Sequence, residues 1–116
     1  MDIMGMNQEQ AQTFLDQLNQ LRNELYNLIP IEQKHLRKEI TRAYITINKP
    51  DDLKGQIEAV PDGLEIMYDI MHQTALSKKY HFNERQNQIW HQINDLFDKH
   101  RKFSLGAVIN AWAMFH

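Results

Sequence analysis

The chain has 116 residues, no cysteine, 42% hydrophobic and 24% charged residues, and a formal net charge of -2. That size and balance fit one folded domain with its own core and exclude a disordered chain. The lack of thiols excludes disulfides, thiol catalysis and cysteine-ligated zinc, and the near-neutral charge gives no bulk attraction to nucleic acid.

The opening MDIMGMNQEQ has an acid at position 2 and no apolar core of signal-peptide length. No run approaches the roughly 18–20 apolar residues that span a bilayer, so a cytoplasmic location is expected. Ala11, Phe14, Leu18, Leu21, Leu25 and Leu28 alternate spacings of three and four. This predicts an amphipathic helix over about 8–29, with Pro30 ending it or opening the next.

Leu36, Ile40, Ala43, Tyr44 and Ile47 predict a second helix over about 31–48, with Lys34, Arg37, Lys38 and Arg42 largely on its outer side. Pro50, Gly55, Pro61 and Gly63 mark Asn48 to Asp62 as the main loop, with Leu53, Ile57 and Val60 placed to dock a short turn on the core. A third helix is expected over about 64–79, its inner face carrying Ile66, Met67, Ile70, Met71 and Thr74.

Tyr80-His81-Phe82 breaks that pattern. Asn83 is a good N-cap, with Gln86 placed to close a capping box and Glu84 in the first turn, where the helix dipole favours an acid. A fourth helix then runs over about 84–102 through Ile89, Ile93, Leu96 and Phe97. Phe103 to His116 contains no formally charged residue, and Leu105, Val108, Ile109 and Trp112 recur at helical spacing. The whole chain, 1–116, is thus expected to be a single all-α domain: an antiparallel four-helix bundle with a short apolar C-terminal helix or tail.

Chemistry is sparse. His35 with Glu39 and His91 with Asp95 stand at i, i+4, but each pair lacks the third ligand that a metal site needs. There is no Gly-rich phosphate loop and no nucleophile motif, and the acids sit beside bases, as Glu39 does near Arg42. No enzyme, metal or cofactor is expected. The basic residues of the second helix are interrupted by Glu32 and Glu39, which reads as a solvated face and not as a nucleic-acid footprint.

The C-terminal segment is the candidate binding element. Trp112 and Phe115 are aromatic anchors of the kind that dominate interfaces. Lys99, Arg101 and Lys102 precede them, suited to anionic headgroups at a membrane surface. The candidate set is Lys99, Arg101, Lys102, Phe103, Leu105, Val108, Ile109, Trp112 and Phe115. Leu105, Val108 and Trp112 are equally suited to folding back over the bundle, and a docked but detachable segment reconciles the two roles.

The stretch from Thr74 to Leu96, TALSKKYHFNERQNQIWHQINDL, resembles the junction between the third and fourth helices of immunity proteins against pediocin-like (class IIa) bacteriocins. The likeness lies in Ala75-Leu76, Lys79, His81-Phe82, Asn83 and Ile93-Asn94-Asp95-Leu96, with Tyr68 at a tyrosine position on the preceding helix. It covers about thirty residues, and its matched positions are mainly structural. The resemblance implies a cytoplasmic four-helix bundle of lactic acid bacteria that protects a producing cell from its own bacteriocin. It implies as partner the mannose phosphotransferase permease with bacteriocin bound, whose pore is blocked from the cytoplasmic side. It also implies that the C-terminal half governs which bacteriocin is countered. A helical adaptor or dimerisation protein, using its C-terminal segment as a helix-in-groove ligand, is the alternative.

Overall fold

The computed structural model describes residues 7–101, with the side chains of His100 and Arg101 outside that description. Four helices follow one another: α1 (Gln8–Leu28), α2 (Lys34–Asn48), α3 (Leu53–Ser77) and α4 (Glu84–Arg101). They form an all-α antiparallel bundle, in which α2 packs chiefly on α3 and α1 chiefly on α4.

Helix α1 starts at a full capping box. The Asn7 side chain accepts from Gln10 N at 2.8 Å, and Gln10 Oε1 accepts from Asn7 N at 3.1 Å. The helix ends before Pro30, which cannot continue its hydrogen bonding. Residues 30–33 form a turn closed by Gln33 N donating to Pro30 O at 3.0 Å, so α2 begins at Lys34 and not at 31. Three contacts set the antiparallel register of α1 against α2. Asn19 and Asn48 exchange side-chain amide hydrogen bonds at 3.0 Å. The Arg22 guanidinium lies 4.3 Å from the Tyr44 ring centre, and that of Arg37 lies 4.2 Å from the Tyr26 ring centre.

The expected loop from Asn48 to Asp62 is a helix from Leu53 onward, so α3 begins eleven residues before the expected position of 64. The turn is confined to Lys49–Asp52. Asp52 caps α3 by accepting from Gly55 N at 2.8 Å, and Gln56 Nε2 donates to Pro50 O at 3.0 Å. Pro61 sits inside the helix, where it has no N–H to give the Ile57 carbonyl. Burial outweighs that cost: Ile57, Val60, Leu64, Met67, Ile70 and Met71 form one apolar seam against α2 and the core. Gly63 is what lets α3 approach α2 closely, because a Cβ there would overlap the Ile47 side chain and press on the Ala43 carbonyl.

Most expected core positions are buried, including Ala11, Phe14, Leu18 and Leu25 of α1, Ile40 and Ile47 of α2, and Ile89, Ile93 and Phe97 of α4. Tyr44 differs. It is 38% exposed, drawn to the edge of the α1–α2 seam by its stack on Arg22. Burial lowers the Arg22 pKa, an effect opposed by the neighbouring Tyr44 and Tyr26. Arg37 is half-buried, and its Nη1 donates to Ile29 O at 2.8 Å, satisfying the C-cap carbonyl of α1.

Candidate functional site

Ala75, Leu76, Lys79, His81, Phe82 and Asn83, part of the set that carries the resemblance, lie where α3 hands over to α4. Helix α3 stops at Ser77, whose Oγ donates to Thr74 O at 2.8 Å and accepts from Lys79 N at 3.3 Å. Lys78 closes the helix in the left-handed conformation, with φ of 59° and ψ of 10°. The chain then crosses Tyr80 and Phe82, whose rings meet edge to face at 5.6 Å.

Asn83 opens α4 through the capping box expected from sequence. Gln86 N donates to Asn83 Oδ1 at 2.8 Å, and Asn83 N donates to Gln86 Oε1 at 2.7 Å. Gln86 does more than cap. Its side chain is fully buried, and its Nε2 donates both to Leu28 O at 2.8 Å and to Tyr80 OH at 2.7 Å. One amide therefore ties the last turn of α1, the α3–α4 link and the first turn of α4. Every hydrogen-bonding group of that amide is engaged, which is the condition for burying it cheaply. An ion pair between Arg85 and Glu24 at 3.5 Å adds a second, solvent-facing tie between α4 and α1.

Beside this knot the bundle is open. Tyr68, Met71, His72 and Ala75 of α3 face Phe82, Asn87 and Trp90 across a cleft of about 190 Å³. Tyr68 and His72 stack nearly parallel, with ring centres 5.9 Å apart and planes 6° apart. Trp90 is half-buried, and its carbonyl accepts from Asn94 Nδ2 at 2.9 Å. Leu76, next in sequence to the cleft residue Ala75, is 67% exposed. Aromatic faces, one imidazole and one carboxamide suit this cleft to binding an apolar side chain or a short peptide segment.

Of the sequence-derived site, only Lys99 is described with its side chain. Lys99 lies exposed in the last turn of α4, nine residues beyond Trp90, on the order of 14 Å along the helix axis. Arg101 is the final residue of α4. Lys102, Phe103, Leu105, Val108, Ile109, Trp112 and Phe115 lie outside the described residues. Sequence reasoning passed over His72 and Trp90 as candidates. The i, i+4 spacing of Tyr68–His72 and Met71–Ala75 places these residues on neighbouring parts of one helix face, but Trp90 joins them only because the bundle sets α4 across the cleft from α3. Among the described residues no three histidines, aspartates or glutamates converge on a metal-binding position.

Comparison of the chain with protein-family models, curated proteins and solved structures finds no match. The fold itself defines a four-helix protein in which, among the described residues, no helix is long and apolar enough to cross a membrane.

Proposed function

We propose that this chain is an immunity protein of the kind that counters pediocin-like bacteriocins, acting by binding and not by catalysis. Its partner is the mannose phosphotransferase permease occupied by bacteriocin, engaged from the cytoplasmic face so that the pore is blocked. The observation that carries this reading is the α3–α4 junction. Of the residues that resemble the family, Asn83 caps α4 against the buried Gln86, and Tyr68, Ala75 and Phe82 line the aromatic cleft beside it. A rigid, precisely ordered junction next to an unfilled aromatic recess is how a small bundle presents a recognition surface.

In this reading the cleft lined by Tyr68, His72, Phe82 and Trp90 receives part of the receptor complex. The uncharged segment Phe103 to Phe115, preceded by Lys99, Arg101 and Lys102, supplies the remaining contacts at the inner membrane face. Expression in a strain sensitive to pediocin-like bacteriocins tests the proposal. Resistance to at least one of a panel of such peptides is expected. Unchanged sensitivity to all of them, with the protein present and folded, contradicts it.

A further inference from the structure

The outer face of α2 carries a second ordered stripe, facing away from the core. Ile31, Lys34, Lys38, Thr41 and Ile45 succeed one another at alternating spacings of three and four, which aligns them along one side of the helix and the turn leading into it. All five are exposed, Ile31 by 74% and Ile45 by 54%. They border a shallow open groove of about 550 Å³ whose other walls are Tyr26, Arg37 and Arg42. The stripe is on the order of 20 Å long, with an isoleucine at each end and cations between.

The charge along it is one-sided. Arg42 is neutralised by Glu39 through a two-pronged contact at 2.7 and 3.0 Å. Among the described residues no carboxylate lies within ion-pair distance of Lys34 or Lys38. A chain with net charge -2 thus sets two lysines without an ion-pair partner beside two exposed isoleucines, Glu39 acting on Lys38 only beyond ion-pair distance.

We propose that this stripe docks the protein on an anionic phospholipid surface, α2 lying flat with Ile31 and Ile45 entering the headgroup–acyl boundary and Lys34 and Lys38 meeting phosphates. Charge complementarity selects this occupant. A second copy of the chain would set Lys34 and Lys38 against their own equivalents. Ile31 and Ile45 lie exposed at the two ends of the groove with cations between them, the arrangement of an interfacial helix that sets apolar side chains into the headgroup–acyl boundary. The inference goes beyond the immunity reading and does not rest on it, since lipid binding is measured without bacteriocin or permease.

The test is co-sedimentation of the full chain with vesicles of equal parts phosphatidylglycerol and phosphatidylcholine, and with phosphatidylcholine alone. Binding to the anionic vesicles only, weakening as salt rises, is expected. The Lys34→Glu/Lys38→Glu variant is expected to lose about tenfold or more in partitioning while melting as the parent does, and Lys34→Arg/Lys38→Arg to retain it. Full binding by the glutamate variant overturns the proposal. So does a loss seen only when the C-terminal anchors are changed, as in Trp112→Ser/Phe115→Ser. A parent chain that ignores both vesicle types but binds an acidic amphipathic peptide also overturns it and gives the stripe to a protein partner.

Discussion

The α2–α3 seam and the α3–α4 junction solve the same packing problem in opposite ways. The seam is apolar and close, with Gly63 admitting Ile47 and a continuous line of buried residues from Ile57 to Met71. The junction is polar and partly open, held by the amide of Gln86 and flanked by an aromatic cleft. An interior packed by shape resists any added atom, whereas a hydrogen-bonded knot fixes a few points and leaves the surface between them free to receive a partner. The contrast explains why one helix pair serves as scaffold and the other is where recognition is proposed.

Substitutions that strike each region in turn break or sharpen this contrast. Gly63→Leu forces a side chain into the space of Ile47 and is expected to cost roughly 3 kcal/mol or more, read as a lowered urea midpoint. Gln86→Leu keeps the volume but removes three side-chain hydrogen bonds and strands the Leu28 carbonyl. A loss of about 2–3 kcal/mol is expected, a little below that of Gly63→Leu. If Gln86→Leu is neutral, the junction is held by apolar contact and the contrast fails. Tyr80→Phe removes only one of those bonds, and about 1 kcal/mol is expected from the same measurement. Lys78→Gly relieves a left-handed lysine and should raise stability by roughly 0.5–1 kcal/mol.

The smallest effect belongs to the exposed Glu39–Arg42 pair. The hydrogen bond from Arg42 holds the Glu39 carboxyl below its ordinary value. A depressed carboxylate contributes stability above its unfolded pKa and loses it as pH falls through the folded one. Arg42 reaches the carboxylate from solvent, so Glu39→Gln should leave the urea midpoint at neutral pH almost unchanged.

The helical class, the α1 face and the Asn83–Gln86 capping box are all legible in the residues, because each depends on neighbours three or four positions apart. The reach of Gln86 to Leu28 is not, since 58 residues separate them. The start of α3 was hidden by its own punctuation. Pro61 and Gly63 signal a loop locally, yet Leu53, Ile57, Val60 and Leu64 already keep helical spacing, and burial against α2 decides the outcome. Tyr44 shows the converse: its spacing places it inside, and a stack on Arg22 holds it at the edge. The aromatic cleft requires knowing that α4 faces α3 across a gap, which no local pattern states.

The most direct test of the proposed role is the protection conferred on a bacteriocin-sensitive strain by the parent chain, by His72→Ala and by Trp90→Ala, each shown to be folded by circular dichroism. The account predicts that the parent protects, and that both cleft variants lose protection while keeping their helical content. Protection unchanged in both folded variants would contradict the assignment of recognition to the α3–α4 cleft.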